Sequence, residues 1–178
     1  MIGNFSFFLF IFCESLIIIF ILVYVFMPIM GGPFFPSSLK AAENFLKLVK
    51  PSKKDLLVDL GSGDGRIVIQ LAKKGYKIHG MELNPFFVLF SNFLLLATGN
   101  ISRGRVYWKN VYKVDLSKYN HVYTYLYPKT VNDLSSKFEK ELPKGAKVVS
   151  NTFKIKKWIE TDAIDKFYLY DIDKYRNG

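Results

Sequence analysis

The hydrophobic pattern divides the chain into an apolar N-terminal stretch and a longer part in which helical and strand-like patterns alternate. Residues 5–27 read FSFFLFIFCESLIIIFILVYVFM. As a helix these residues would extend over about 35 Å, which is long enough to cross a bilayer. The sequence MGGPFFPSS follows at 30–38, and its Gly and Pro residues are typical of a linker. We therefore predict a transmembrane signal anchor over 1–29, a linker over 30–37 and one domain over 38–178.

The energetics of membrane insertion favour this anchor despite Glu14, its only charged residue. An acid at the centre of a span costs roughly 3 kcal/mol, whereas each of the 17 Leu, Ile, Phe and Val residues returns about 0.3 to 0.6 kcal/mol. Lysines follow the stretch and none precedes it, so the positive-inside rule predicts a membrane protein with its domain on the cytoplasmic side. A buried hydrophobic hairpin is the alternative. Glu14 either pairs with a polar group of another transmembrane helix or is a tolerated, protonated acid.

Beyond the linker, apolar residues at helical spacing alternate with short apolar runs that turn residues bound. Strands and helices alternating at this spacing are joined by right-handed crossovers. The pattern therefore predicts an α/β fold with a doubly wound, mostly parallel sheet of seven strands. The predicted helices are 38–50, 65–74, 86–98 and 130–142, and the predicted strands are 56–60, 76–83, 105–109, 121–127, 146–153, 157–163 and 166–173.

The most informative short stretch, DLGSGDG, lies between the first predicted strand and the helix after it. Its glycines allow the loop to turn sharply and to bring backbone amides against a ligand with no Cβ in the way. Glu82 ends the next strand, 21 residues after Gly61, where an acid can accept hydrogen bonds from both hydroxyls of a ribose. Loop and acid together predict a nucleoside-bearing cofactor, and the alternative is that the glycines serve only a tight turn.

Two classes of cofactor compete for such a loop. The dinucleotide fingerprint G-x-G-x-x-G requires glycine at position 66, where this chain has Arg66. Asp59 and Asp64 also place negative charge beside the loop, which disfavours a pyrophosphate. S-adenosylmethionine (SAM) carries a sulfonium and an ammonium group and no phosphate, so carboxylates suit it. The residues therefore favour SAM over a nicotinamide dinucleotide.

The chain is basic, with a formal net charge of +10. A basic domain beside a membrane is attracted to anionic headgroups, and the alternative is that solvated lysines keep the domain soluble. We expect no nucleic-acid partner, because no basic run is interleaved with aromatic residues. We also expect no metal site, since His79 and His121 have no second ligand at metal-binding spacing and Cys13 is the only cysteine.

The motifs VDLGSGDGRIVI and MELNP resemble those of the class I, seven-β-strand SAM-dependent methyltransferases. More narrowly, the chain resembles the family that includes the ATP synthase c-subunit lysine methyltransferase and compact archaeal protein lysine methyltransferases. PFFPSS resembles the segment that precedes the first helix in that family. YWKNVYKVDLSKYNHVYTYLYP resembles the family's post-strand segment, which ends in Pro, and LPKGAKVVSNTF resembles the approach to its fifth strand. The resemblance runs from Pro33 to the end. It implies a Rossmann-like methyltransferase sheet, SAM as the cofactor and a protein lysine as the acceptor.

The resemblance also implies roles for individual positions. Simpler alternatives stay open for Asn110, as a turn cap, and for Phe35 and Tyr127, as packing residues. The sequence YLYP departs from the family's pattern, because Tyr125 and Tyr127 stand where smaller or aliphatic residues are usual, and this bears on acceptor size. The implied roles are Asp59, Gly61, Gly63 and Asp64 around the methionyl part of SAM, Glu82 at the ribose hydroxyls, Asn110 at the adenine amino group, Phe35 and Pro36 as a cover, and Tyr127 and Pro128 along the acceptor channel.

Methyl transfer from a sulfonium is an in-line displacement, so the enzyme chiefly aligns the reactants and excludes water. A lysine acceptor must first be neutral, and a narrow aromatic channel favours the neutral amine by desolvation. No general acid or base is required, and we assign no catalytic residue. The sequence thus predicts a membrane-anchored SAM-dependent methyltransferase that modifies a protein lysine, with a membrane protein as a candidate substrate. The alternatives are a small-molecule or lipid-headgroup methyltransferase and a non-catalytic SAM-binding sensor.

Overall fold

The structure is a computed structural model that describes residues 7–19, 37–38 and 40–176. The chain forms two compact units, Met1–Phe35 and Pro36–Gly178. In the first unit, residues 7–19 are helical and are called α1, and their side chains are exposed.

The N-terminal stretch bears on the predicted anchor. Within the residues described, no helix is both long enough and apolar enough to cross a membrane. The structure therefore does not confirm the transmembrane helix predicted over 5–27. Residues 20–36, which include the second part of that span and nearly all of the predicted linker, lie outside the described residues. The division into anchor, linker and domain stays a prediction.

The second unit is built on one sheet of seven strands, the number predicted from the sequence. The strands lie in the order β3-β2-β1-β4-β5-β7-β6, with parallel pairing from β3 to β5 and antiparallel pairing of β7 with both β5 and β6. The predicted α/β sheet is confirmed as a mixed one. Its strands are β1 (Leu56–Leu60), β2 (Lys77–Glu82), β3 (Gly104–Trp108), β4 (His121–Thr124), β5 (Lys147–Asn151), β6 (Asp162–Ile164) and β7 (Phe167–Asp171).

Helices cover both faces of this sheet. On one face, Phe45, Leu71 and Leu95 belong to a buried layer that joins three helices to the strands. On the other face, Val131 and Phe138 belong to a second buried layer with the remaining two helices. Removal of both layers from water stabilises the fold. The helices are α2 (Ala41–Val49), α3 (Arg66–Lys73) and α4 (Pro85–Ala97) on the first face, and α5 (Pro128–Asp133) and α6 (Ser135–Glu141) on the second.

Helix α4 begins where the sequence predicts it and is fixed to the edge strand of the sheet. Asn84 Oδ1 accepts a hydrogen bond from Phe86 N at 2.9 Å, and Pro85 occupies the first helical position. Further along, Asn92 Nδ2 donates to Val106 O at 2.7 Å, and Asn92 Oδ1 accepts from Val106 N at 3.0 Å. The Asn92 amide thus pairs with backbone groups that an edge strand would otherwise leave exposed.

Three predicted elements differ from the structure. The strand predicted over 157–163 is observed as the three-residue β6 (Asp162–Ile164), so most of that prediction is wrong. Strand β4 ends at Thr124 instead of 127, and the helix predicted over 130–142 is divided at Leu134 into α5 and α6. Pro128 occupies the first position of α5, so the chain leaves the strand between Thr124 and this proline.

The connection from β3 to β4 contains no α-helix among its residues 109–120, all of which are described. A 3₁₀ helix at Val111–Lys113 begins it instead. Parallel strands are usually joined through an α-helix. Because this connection has none, a loop covers this side of β2 and β3 instead. A cleft of about 350 Å³ lies beside the loop and is lined in part by Lys109, Lys113 and Lys118.

Candidate cofactor-binding site

The loop between β1 and α3 lies at the carboxyl ends of the parallel strands, where ligands bind in sheets of this kind. Gly61, Gly63 and Gly65 have φ angles of 78°, 52° and 73°, in the left-handed region that side chains disfavour. A Cβ at Gly61 would lie 2.6 Å from Leu126 Cδ2, so the leucine side chain would have to shift to admit one. The amide of Gly61 donates to Met81 O at 2.9 Å. The loop conformation therefore requires glycine and holds the bare backbone against the end of β2.

The carboxylate of Glu82, at the end of β2, is fixed through both of its oxygens. Gly63 N donates to Glu82 Oε2 at 2.8 Å, and Asn84 N donates to Glu82 Oε1 at 2.8 Å. The residue is 9% exposed. A carboxylate has about four acceptor sites, so these two bonds orient the group and leave acceptor capacity for a ligand.

Asp59, in β1, is 2% exposed and lies close to two further acids. Burial, followed by the charges of Glu82 and Asp64, raises the pKa of its carboxyl well above the usual value. A buried carboxylate beside like charges is costly unless a partner offsets its charge. This arrangement suits a cationic ligand such as a sulfonium or an ammonium group, and it does not suit a pyrophosphate.

The carboxylate of Asp64 already binds a cation within the chain. Arg66 Nη2 lies 2.6 Å from Asp64 Oδ2, and Arg66 Nε lies 3.0 Å from Asp64 Oδ1. Another nitrogen of the same guanidinium, Nη1, donates to Ser37 O at 3.0 Å. Arg66 thus joins the glycine loop to the segment before α2, a role that the sequence analysis missed. Contact between Asp64 and a cofactor stays a prediction.

Three polar side chains that were not predicted as site residues, those of Ser37, Tyr123 and Asn151, are joined by hydrogen bonds. Tyr123 OH lies 2.9 Å from Ser37 Oγ and accepts a hydrogen bond from Asn151 Nδ2 at 3.0 Å. Tyr123 is also the β4 partner of Asp59 in the β1–β4 pairing. Asn151 is a polar residue at the end of strand β5, and a polar residue at the end of a strand is the same sequence feature that pointed to Glu82. The contact with Ser37 joins positions 86 residues apart and has no local signal.

Asn110 follows β3, and its side chain caps the 3₁₀ helix after it. Asn110 Oδ1 accepts a hydrogen bond from Tyr112 N at 3.0 Å. Asn110 thus caps this helix, and its contact with adenine stays a prediction. Phe35 and Pro36, the predicted cover of the cofactor, lie outside the described residues.

The predicted acceptor channel falls at the carboxyl end of β4. Tyr127 is 43% exposed and precedes α5, whose first residue is Pro128. Tyr125 is partly buried and stacks on Phe153, with 6.4 Å between the ring centroids. The aromatic side chains of YLYP thus lie at the strand end that carries the channel prediction, and their role there stays a prediction.

The seven-stranded sheet, the glycine loop after β1 and the acid that ends β2 define the fold class of the class I SAM-dependent methyltransferases. A family model described as the ANTKMT methyltransferase domain matches residues 59–162. A protein-lysine N-methyltransferase of Saccharolobus islandicus is 31% identical over 154 residues, which cover 81% of this chain and 96% of that protein. The chain therefore belongs to the ANTKMT methyltransferase family.

Two further similarities agree with this family. The ATP synthase c-subunit lysine N-methyltransferase of Homo sapiens is 35% identical over 148 residues, which cover 81% of this chain and 63% of the human protein. The match thus spans less than two thirds of the human relative. The crystal structure of an RNA methyltransferase from Salinibacter ruber, in complex with S-adenosyl-L-homocysteine, has a TM-score of 0.75 and 28% identity, and the match covers 78% of this chain and 94% of that one. The predicted family, and SAM as its cofactor, are confirmed.

Replacement of Glu82 by Gln should weaken SAM binding about tenfold or more, because an amide nitrogen cannot accept a hydrogen bond and one backbone donor loses its partner. Isothermal titration calorimetry with SAM measures the change. The control is Glu43→Gln on α2, where the acid is half-exposed and 3.9 Å from Lys74 Nζ. Equal affinities for the wild type and Glu82→Gln would contradict the role of this carboxylate.

Replacement of Asp59 by Asn should stabilise the ligand-free protein and weaken SAM binding, because it removes a buried negative charge that a cationic ligand would offset. Since the folded-state pKa is raised, the free energy of unfolding falls as the pH rises from the unfolded-state pKa through the folded-state value. The gain in melting temperature should therefore be larger at about pH 8 than at about pH 4. Calorimetry without ligand measures both gains, and equal gains would refute this electrostatic account.

Proposed function

We propose that this chain is a SAM-dependent methyltransferase that transfers a methyl group to a lysine side chain of a protein. The observation that carries the proposal is the doubly hydrogen-bonded carboxylate of Glu82 beside the bare amides of the glycine loop. Such a carboxylate can accept hydrogen bonds from ribose hydroxyls, while the loop backbone approaches the methionyl part. Membership of the family supports both the reaction and the acceptor.

The remaining predicted contacts complete the proposed cofactor site. Asp59 and the loop glycines surround the methionyl part, and the buried charge of Asp59 offsets the positive charge there. Asn110 lies at the adenine end, beyond β3. Phe35 and Pro36 cover the cofactor. The anionic character of the loop supports SAM over a phosphate-bearing cofactor, because like charges near a pyrophosphate would weaken its binding.

The acceptor lysine enters beside Tyr127 and Pro128. SAM supplies a methyl group whose bond to sulfur breaks as a bond to the lysine nitrogen forms. Before this step the lysine must lose its proton to solvent, since an ammonium nitrogen has no free electron pair. Aromatic side chains at the end of β4 favour the neutral amine by desolvation and align its nitrogen with the methyl carbon. No general base is assigned.

The relatives indicate whether the methyl acceptor is a protein or an RNA. The two curated relatives are named for protein lysines, and the solved structure is named for RNA. Each of the curated relatives matches 81% of this chain at 31% identity or more, which favours protein over RNA. A small molecule, a lipid headgroup and binding without turnover are the alternatives that the first experiment distinguishes.

We also propose that residues 1–29 anchor the protein in a membrane and that the domain faces the cytoplasm. The uncharged character of 5–27 apart from Glu14, and the lysines after it, support this arrangement. Exposed apolar side chains along α1 agree with it, among them Phe8 at 69% and Ile17 at 56%. Anchoring would raise the effective concentration of a substrate in the same membrane.

Incubation of the protein with methyl-labelled SAM and membranes of the source cell should label a protein band. Separation of protein, lipid and RNA fractions before counting identifies the acceptor. Acid hydrolysis of the labelled band should release methylated lysine. Glu82→Gln should reduce the label in parallel with its loss of SAM affinity, and Glu43→Gln should not. Label in lipid or RNA alone would contradict a protein acceptor, and SAM binding without any label would indicate a sensor.

Extraction of membranes with alkaline carbonate should leave the full chain in the pellet. The double variant Leu16→Arg, Ile18→Arg should be released, because each arginine adds about 2.5 to 3.5 kcal/mol to the cost of insertion. Immunoblots of pellet and supernatant measure the distribution. Release of the unaltered chain into the supernatant would rule out the anchor.

A further inference from the structure

The cleft beside the connection from β3 to β4 lies against strands β2 and β3, on the side of the sheet where a crossover α-helix would ordinarily pack. Its volume of about 350 Å³ is within the range of small-molecule sites. We call it the basic cleft, and the residues that line it include Met81, Tyr107, Lys109, Lys113, Asp115 and Lys118.

Positive charge predominates in this lining, which has three lysines and one acid, Asp115. Among the ion pairs of the described residues, none includes the ammonium group of Lys109, Lys113 or Lys118. The Asp115 carboxylate accepts a hydrogen bond from Ser117 N at 2.9 Å, within its own loop. In the described part of the chain, three cationic groups at one cleft therefore have no ion-pair partner.

A fourth cation and a histidine lie beside the two tyrosines of the cleft. The guanidinium carbon of Arg105 is 5.8 Å from the ring centroid of Tyr107, and Lys118 Nζ is 5.3 Å from that of Tyr119. His79 Nδ1 lies 3.1 Å from Tyr119 OH. Burial lowers the pKa of the His79 ring, and the charges of Lys118 and Arg105 lower it further. The protonation of this ring therefore responds to the charge around the cleft.

We propose that the basic cleft binds the phosphate group of a small ligand or of a lipid headgroup. A lysine ammonium binds phosphate as a point charge, whereas carboxylates are best matched by the planar fork of arginine, which no residue of the lining supplies. Met81 and Tyr107 offer apolar surface to the group that carries the phosphate. An acidic peptide is the alternative occupant, but its charges are spread along a chain, whereas the lysines meet at a cleft of small-molecule size.

The basic cleft is a neighbour of the cofactor site and shares none of the residues assigned to it. Lys109 N donates to Glu82 O at 3.0 Å, and Met81 O accepts a hydrogen bond from Gly61 N at 2.9 Å. SAM carries no phosphate, so a phosphate group in the cleft belongs to a second ligand that binds beside the cofactor. The proposal therefore goes beyond methyl transfer and does not depend on it.

The ring of His79 reports whether the basic cleft is occupied, because the chain has only two histidines. The full chain with isotope-labelled histidine, in an uncharged detergent, is titrated with pH by NMR, and His79→Gln assigns the two signals. Inorganic phosphate should raise the pKa of His79 by about 0.5, because the anion offsets the charges of Lys118 and Arg105. Sodium chloride at equal ionic strength is the reference, since salt screens the same charges. The pKa of His121, which lies 3.3 Å from Asp55 Oδ2, should stay unchanged.

Two double variants make the test specific. Lys109→Gln with Lys113→Gln should weaken phosphate binding about tenfold or more, because each lost ammonium removes a charge-assisted contact. Lys118 stays in place, so the His79 signal still reports binding. The matched control is Lys47→Gln with Lys73→Gln, which changes exposed lysines of α2 and α3 on the other face of the sheet and should not alter binding. Near-ultraviolet circular dichroism shows that each variant is folded.

Dihexanoyl phosphatidic acid, a soluble lipid analogue, distinguishes the sources of the phosphate. A shift with inorganic phosphate assigns a free ligand, and a shift with the lipid analogue alone assigns a headgroup. The proposal fails if neither probe shifts the pKa of His79 beyond the chloride reference, or if the Lys109→Gln, Lys113→Gln variant responds as the wild type does.

Two further outcomes would overturn the proposal. A shift with oligoglutamate and with neither phosphate probe would assign the basic cleft to an acidic peptide. Loss of the phosphate response at saturating S-adenosyl-L-homocysteine would place the anion in the cofactor site. None of these measurements uses methyl transfer, so their failure is distinguishable from failure of the proposed function.

Discussion

The arrangement of the site depends on the buried carboxylate of Glu82. One of its oxygens holds the glycine loop through Gly63 N, and the other holds the backbone N–H of Asn84. Asn84 in turn caps α4 through Phe86 N. The end of β2, the loop after β1 and the start of α4 are therefore joined through neighbouring hydrogen bonds, so the cofactor site and the orientation of α4 have a common origin.

The distribution of charge in the domain suits the cofactor site. Asp59, Asp64 and Glu82 concentrate negative charge at the carboxyl ends of β1 and β2, although the chain as a whole carries a formal charge of +10. Arg66 offsets the charge of Asp64 within the structure. Asp59 has a raised pKa and gains most from a cationic ligand. The site thus keeps a stability cost that ligand binding would relieve, which is common where function requires buried charge.

Much of the fold could be predicted from sequence because its signals are local. Gly61, Gly63 and Gly65 indicated a loop that does adopt left-handed backbone, and the apolar pattern over 86–98 predicted a helix that the structure has at Pro85–Ala97. What the sequence did not show arises from long-range contacts. Tyr123 meets Ser37 across 86 positions, and only the folded sheet brings them together. The division of the last predicted helix at Leu134 likewise has no glycine or proline to announce it.

The central claim is that the glycine loop and Glu82 together hold the nucleoside and the methionyl part of SAM. The most direct test is a crystal structure of the protein with S-adenosyl-L-homocysteine bound. We predict that both ribose hydroxyls lie within about 3.2 Å of the Glu82 carboxylate and that the loop backbone contacts the homocysteine portion. A ligand bound away from the ends of β1 and β2, or a ribose without contact to Glu82, would contradict the account.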